Sequence, residues 1–310
     1  MNNLKKLGLT ALGTALVATS ATAADYSISG TSSVTFNGRD NDDTGNGWSM
    51  SDSVTFSASG EMDNGMSVTH TYEIDAGAQG FHAVAVDTGD FGTLTFIGGS
   101  STTVIGSWDD LTPTANEEAH GVTVGGTIAG AANGTANTTK IFTYSYNIAD
   151  GIDFQAGYSP SEGTAVVDGS MDYGIKYTGM EGLTVYAAMG ENNDSSNGVD
   201  NSALAVIYAT GGLTVGYQVN ESDYSTGTSD EDFTAIGVSY AVSDDLSVSL
   251  NSSTIDFEST TLDDQEATGV SFSYTSGGMT ISGTHSNVDN VGGTSTTDNS
   301  GYEINFKFAF

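Results

Sequence analysis

The sequence predicts an all-β fold, a transmembrane antiparallel β-barrel of about sixteen strands. Apolar and polar residues alternate along many short segments, which is the period of a strand with one apolar face. Glycine is abundant and proline scarce, with 41 and 2 in 310 residues, as expected where many strands are joined by turns. A hairpin unit repeats through the second half of the chain, so the strands follow one another as antiparallel neighbours.

The last strand shows the alternation most clearly. From Tyr302 to Phe310 every even position is aromatic or Ile, and every odd position is polar or small. The two faces of this strand therefore differ sharply in polarity. A strand that ends the chain on an aromatic residue is typical of the closing strand of a bacterial outer-membrane barrel, whereas a terminal strand docked in a soluble sandwich is the alternative.

The repeat places an aromatic residue before each short turn. The members are Tyr146, Tyr177, Tyr208, Tyr240, Tyr274 and Phe310. Tight-turn sequences such as Asp150-Gly151 and Gly211-Gly212 follow these tyrosines, and another apolar strand comes next. In a membrane barrel these aromatic side chains would form the girdle at the periplasmic rim.

Taken in order, the strands are predicted at 26–36, 48–60, 66–75, 81–87, 92–98, 140–148, 152–159, 171–178, 183–189, 202–209, 213–219, 233–241, 246–253, 267–275, 279–286 and 300–310. Short and long connections alternate strictly between them, as in barrels with periplasmic turns and external loops. Segment 98–139 is the exception in length, and loops this long are usually functional or disordered.

The N-terminus predicts export. Lys5 and Lys6 precede an apolar stretch, and Ala21-Thr22-Ala23 offers a cleavage site, so residues 1–23 are interpreted as a cleaved secretory signal peptide and 24–310 as the barrel. A soluble β-sandwich would show the same alternation. The combination of export, sixteen strands, alternating connections and the terminal Phe favours the barrel in the outer membrane.

Charge and composition exclude some functions. The formal net charge is -33, with 6 Lys and Arg against 39 Asp and Glu, which argues against nucleic acid as a partner. The chain has no Cys and so no thiolate site. No Ser–His–acid arrangement was recognised, and we do not expect an enzyme.

Over residues 24–310 the chain resembles the general porins of Gram-negative bacteria, with the alphaproteobacterial, Rhodobacter-like sixteen-stranded type as the nearest likeness. The resemblance is carried by the opening Asp25–Gly30, the turn Asp90–Leu94, the long segment 98–139, the hairpin repeats and the terminal Phe310. It implies a homotrimer surrounded by outer-membrane lipid and lipopolysaccharide, with Phe310 presented to the barrel-assembly machinery. It also implies that 98–139 is the third external loop, folds into the lumen and narrows the pore.

The resemblance implies a passive diffusion channel for small hydrophilic solutes and ions. The acids expected at the constriction are Asp109, Asp110, Glu117 and Glu118; those expected on the pore wall, from strand parity, are Glu73, Asp153, Asp172 and Glu303, with Lys176 and Lys307. The basic cluster usual in such porins is missing, and acidic side chains favour cations, so the channel is predicted to prefer cations. The alternatives are a solvated acidic surface loop and a non-conducting structural or adhesive barrel.

Two further sets of residues remain open. Asp52, His70 and His82 have outward parity near the barrel seam, where they would lie either at a trimer contact or at the headgroup level. Acidic groups in the external loops are loose Ca²⁺ candidates, although none has the spacing of an EF-hand: Asp40, Asp42 and Asp43, and Asp263, Asp264 and Glu266. No other cofactor is expected.

Overall fold

The computed structural model describes residues 25–39, 46–99, 102–122, 140–160, 169–193, 198–225 and 230–310. The strands are β1 (Asp25–Arg39), β2 (Trp48–Glu61), β3 (Ser67–Asp75), β4 (Ala78–Asp87), β5 (Thr93–Ile97), β6 (Ile141–Ala149), β7 (Ile152–Ser159), β8 (Ser170–Met180), β9 (Leu183–Asn192), β10 (Val199–Thr210), β11 (Leu213–Tyr224), β12 (Glu231–Ala241), β13 (Leu246–Phe257), β14 (Gln265–Ser276), β15 (Met279–Asp289) and β16 (Asn299–Ala309). A short helix, α1 (Ile105–Trp108), follows β5, and a 3-10 turn (Val291–Gly293) follows β15.

The strands form one closed antiparallel barrel. Each strand pairs with its neighbours in the chain, and β1 pairs with β16 to close the sheet. Gly30 and Phe310 complete the seam, because each donates its backbone N–H to the carbonyl oxygen of the other, at 2.8 and 3.0 Å. Closure leaves no unpaired strand edge, which is the condition for a sheet in a bilayer. The predicted all-β class, the number of strands and their antiparallel order are confirmed.

Over most of the wall the barrel carries apolar side chains outside and polar ones inside; Phe233 and Ile255, which are buried together, are inward-facing exceptions. On β11, Tyr217 is 50% exposed on the outer face, whereas the next side chain, Gln218, is 0% exposed on the inner face. The same contrast separates exposed Leu204 from buried Asn201 on β10. This is the reverse of a soluble sandwich and the arrangement expected of a barrel wall facing lipid. No helix within the described ranges has the length and apolarity needed to span a membrane.

The prediction that short and long connections alternate strictly is wrong at one connection. The chain passes from β3 to β4 through a two-residue turn, Ala76-Gly77, on the side where the other connections are long. Both residues have positive φ, 47° and 79°, as a type I′ hairpin turn requires. Glycine adopts this geometry without strain, and the resulting tight hairpin shortens the expected loop.

The aromatic residues of the predicted girdle lie at the short-turn end. Tyr146, Tyr208, Tyr240 and Tyr274 are exposed large side chains close to their turns. Tyr177 is half-buried, and Phe310 is exposed beside the seam. The predicted signal peptide, Asp40, Asp42 and Asp43, and residues 100–101 and 123–139 of the long segment lie outside the described residues.

Candidate functional site

The described part of the long segment, residues 102–122, lies along the inner wall of the barrel. It contacts inward-facing side chains of β8 first, then those of β11 and β13, and finally those of β14 and β15. The polar residues that a barrel lumen favours therefore serve as anchor points for this segment, which we call the inner loop.

Asp172 on β8 holds the start of the inner loop. Its carboxylate accepts hydrogen bonds from the Thr103 hydroxyl and from the Ile105 backbone N–H, the latter at 2.8 Å. The side chain has the predicted inward direction, but it is buried beneath the loop instead of exposed to the pore. The difference arises because strand parity gives a side chain's direction and not what covers it.

Helix α1 adds an apolar anchor. Val104, Ile105 and Trp108 are buried in a cluster with Ala188 and Ala203 of the wall. The Trp108 ring also meets the Tyr186 ring edge-on, with centroids 5.2 Å apart. Small residues on the wall leave room for the indole, which contributes a large apolar contact.

Amide side chains bind the middle of the inner loop. Gln218 accepts from the Leu111 N–H at 2.7 Å and donates to the Trp108 carbonyl at 2.9 Å. Asn220 donates to the Asp109 carbonyl at 2.7 Å. Such bonds satisfy backbone groups that would otherwise be buried without partners.

Hydroxyl side chains bind the next part. Ser249 accepts from the Ala115 N–H at 2.9 Å, and Thr284 accepts from the Glu117 N–H at 3.1 Å. Ser271 accepts from the N–H of Asn116 at 3.1 Å. The backbone through the acidic stretch is thereby fixed to three successive strands, β13 to β15.

The four acids predicted at the constriction come together on the inner loop. Asp109, Glu117 and Glu118 each lie close enough to Asp110 to feel its charge. Burial, followed by the charge of Asp110, raises the pKa of both Asp109 and Glu118 to about 7. The pKa of Glu117 is also raised, by burial first and then by Glu303 and Asp110. The cluster therefore changes its net charge near neutral pH.

His120 belongs to the same cluster, although it was not singled out from the sequence. Its Nε2 lies 3.5 Å from an Asp110 carboxylate oxygen. The signal was available in the spacing Glu117-Glu118-x-His120, a lone histidine within an acidic stretch. The strand pattern could not indicate a role for His120, because this residue lies on a loop.

The remaining predicted wall residues are distributed over the inner face. Glu303 lies near Glu117, while Glu73 accepts from the Phe81 N–H at 3.2 Å and Asp153 accepts from Asn147 at 2.9 Å. The Lys176 ammonium lies 5.6 Å from the centre of the Tyr186 ring. Lys307 is exposed on β16.

Asp52 and His70 are exposed on the outer face of β2 and β3. His82 is half-buried on β4, and its ring lies 6.4 Å from that of Tyr72. These positions face away from the lumen, and the trimer contact stays a prediction.

The second group of calcium candidates does not gather its side chains into a site. Asp263 and Asp264 are held through their backbones by the turn after β15, whereas Glu266 points outward from β14. Throughout the described ranges, no three His, Asp or Glu residues are grouped so that they could hold a metal ion.

Comparison with known proteins identifies related sequences and folds. A family model described as Gram-negative porin matches residues 8–261. An anion-selective porin from Comamonas acidovorans is similar in structure, with TM-score 0.72 and 12% identity over 93% of this chain and 100% of that one. The trimer form of OmpT, an outer-membrane protein of Vibrio cholerae, has TM-score 0.70 and 15% identity over 93% and 100%.

A mutant of the Rh. blastica porin is also similar, with TM-score 0.64 and 14% identity over 92% of this chain and 100% of that one. At these identities the structural likenesses show the fold. No curated protein sequence matched the chain.

Proposed function

The chain belongs to the Gram-negative porin family and is located in the outer membrane, and from this we propose that it is a passive diffusion channel that passes small hydrophilic solutes and prefers cations. The alphaproteobacterial subtype remains a prediction.

One observation supports the preference for cations. The inner loop gathers Asp109, Asp110, Glu117 and Glu118 on the lumen side, with Glu303 nearby on β16. Two strand lysines, Lys176 and Lys307, occupy inward-facing positions. The ammonium group of Lys176 lies near the Tyr186 ring. Clustered carboxylates concentrate cations in a narrow aqueous path and repel anions. The Comamonas porin is described as anion-selective, and the charge here favours the opposite selectivity.

We also propose a homotrimer, because the structurally similar OmpT of Vibrio cholerae has a trimer form. Asp52 and His70 support a contact through β2 and β3, because ionisable groups on a lipid-facing surface are costly unless they are paired or at the headgroup level. Lipid and lipopolysaccharide would cover the rest of the outer face.

The test is single-channel recording from the purified protein in a planar bilayer under a KCl gradient. We expect conductance in steps of three and a reversal potential of the sign for cation preference. Glu117→Gln with Glu118→Gln should reduce that preference, while Glu181→Gln, in the β8–β9 turn, should leave it unchanged.

The recordings distinguish failure of the cation preference from failure of the channel function. Anion preference in the wild type would leave the channel but remove the electrostatic argument. Absence of conductance from a folded, heat-modifiable protein would overturn the channel and favour a structural or adhesive barrel.

A further inference from the structure

His120 is the one residue of the inner-loop charge cluster that can carry a positive charge, among the described residues that take part in it. Its side chain is 12% exposed and packs edge-on against Phe233, with ring centroids 5.6 Å apart. Nδ1 lies 3.4 Å from the Ser253 hydroxyl, and Nε2 lies 3.5 Å from Asp110. A protonated imidazole donates from both nitrogens, so both contacts suit the charged form.

We propose, building on the porin function above, that His120 is a selectivity-determining residue of the pore. Its imidazolium cancels part of the carboxylate charge at the inner loop, and loss of its proton strengthens the preference for cations.

The groups that face His120 come from three sources. The inner loop supplies Asp109, Asp110 and Glu118, whose charges act on the imidazole, and Glu117, on which the imidazole acts in turn. β13 supplies the uncharged Ser253. β12 supplies Phe233, with Glu231 two positions along the same inward face. Each charged group that acts on His120 is thus a carboxylate, and each favours the protonated ring.

The direction of the pH dependence follows from these contacts. Burial lowers the pKa of His120, but the hydrogen bond and charge of Asp110, with the charges of Glu118 and Asp109, outweigh burial and raise it above 6.5. Asp109 and Glu118 have pKa values of about 7. As the pH rises, the two acids gain negative charges near neutrality, and the histidine loses its positive charge above the ordinary range of an imidazole. All three changes make the cluster more negative, so cation preference increases with pH.

Coulomb's law gives the approximate size of the effect of the His120 charge on ion selectivity. One charge roughly 10 Å from an ion in a water-like medium changes that ion's local concentration about twofold, and it acts in opposite directions on cations and anions. The cation-to-anion permeability ratio should therefore change about fourfold. Recordings need low salt, roughly 0.01 M, where the Debye length is about 30 Å.

The experiment measures this ratio from reversal potentials at about pH 5 and about pH 9, on either side of the histidine titration. The wild type is compared with His120→Gln, which stays neutral, and His120→Lys, which stays charged. At low pH the permeability ratio of the glutamine variant should be about four times that of the wild type. At high pH the ratio of the lysine variant should be about a quarter of that of the wild type. Each should match the wild type at the other pH. His285→Gln, on the outer face, should follow the wild type at both.

Several results would overturn the proposal. A wild-type ratio that does not increase with pH overturns it without any variant. The proposal is also overturned if the glutamine variant has the same permeability ratio as the wild type at low pH. If that variant fails to assemble, the corresponding result is a lysine variant with the same ratio as the wild type at high pH. In all these cases the channel still conducts, which separates them from failure of the porin function.

Discussion

Several residues of the inner wall are glycines, and the inner loop packs closely against them because they have no side chain. Inward-facing glycines lie under the loop at several points, and a Cβ atom on Gly216 would come within 2.3 Å of Pro113 Cδ. At Gly174 a Cβ would come within 2.3 Å of the Trp108 ring. Real Cβ atoms do not approach other atoms so closely, so any side chain here must move the loop or the strand.

Gly216→Ala should weaken loop docking. Overpacking of a close contact typically costs about 1–3 kcal/mol, and Pro113 is too rigid to relieve it locally. We expect a lower thermal midpoint of the folded protein and noisier single-channel current. Calorimetry and bilayer recording measure the two effects.

Gly60→Ala is the matched control, because a Cβ there would meet nothing within 4 Å. It should leave both properties unchanged. Equal behaviour of the two alanine variants would contradict the view that the inner loop rests on Gly216.

The acidic residues of the inner loop are easier to select from the sequence than the wall residues that hold the loop. Asp109 and Glu118 are conspicuous as acidic residues in a long loop, and their place at a constriction stays a prediction. Gln218 and Gly216 are not conspicuous, because an inward polar residue or glycine on a strand looks the same whether it faces water or a folded loop. His120 was missed for a similar reason, since its role depends on Asp110 being brought to it across the loop.

Among the strands, carboxylates face each other on the outer surface beyond the apolar band. Asp200 on β10 lies directly opposite Glu191 on β9 and opposite Asp223 on β11. All three residues are exposed. Like charges in directly opposed cross-strand positions are destabilising. This end of the barrel therefore folds against its own electrostatic repulsion.

Asp200→Asn should stabilise the barrel by removing both repulsions at once. Each such pair is worth about 0.2–1 kcal/mol, so the thermal midpoint should rise slightly, and the gain should shrink as salt screens the charges. Midpoints measured over a salt series test this. Asp200→Glu keeps the charge and should show no gain; a gain of equal size in high and low salt would refute the electrostatic cause.

The strand ends beyond the apolar band are also where strand prediction stopped short. β11 was predicted to end at 219 and continues to Tyr224, and β13 continues from the predicted 253 to Phe257. From Asn220 to Asp223 both faces of β11 are polar, so no apolar face marks the strand there. On β13 the apolar residues Ile255 and Phe257 lie on the inward face, opposite to the apolar face of the first part of the strand. The backbone pairing continues because the neighbouring strand continues, which is information that one strand's sequence does not contain.

For the whole molecule, closure brings the two ends of the barrel chain together. Phe310 exchanges two backbone hydrogen bonds with Gly30, and its ring lies over that glycine, where a Cβ would be 2.7 Å from the ring. Yet Phe310 is 76% exposed on the finished barrel. The backbone of this residue thus seals the seam, while most of its ring surface remains available outside.

Phe310→Ala should therefore affect assembly more than stability. The variant keeps both backbone bonds and loses a side chain that is mostly exposed, so the thermal midpoint of the refolded barrel should change little. The amount inserted in the outer membrane of cells should fall several-fold, because the family resemblance predicts that Phe310 is presented to the barrel-assembly machinery. Phe308→Ala, which removes a 41% exposed ring from the same face, should insert normally. Equal insertion of the two variants, or a large loss of stability in refolded Phe310→Ala alone, would assign the terminal ring to the seam and not to recognition.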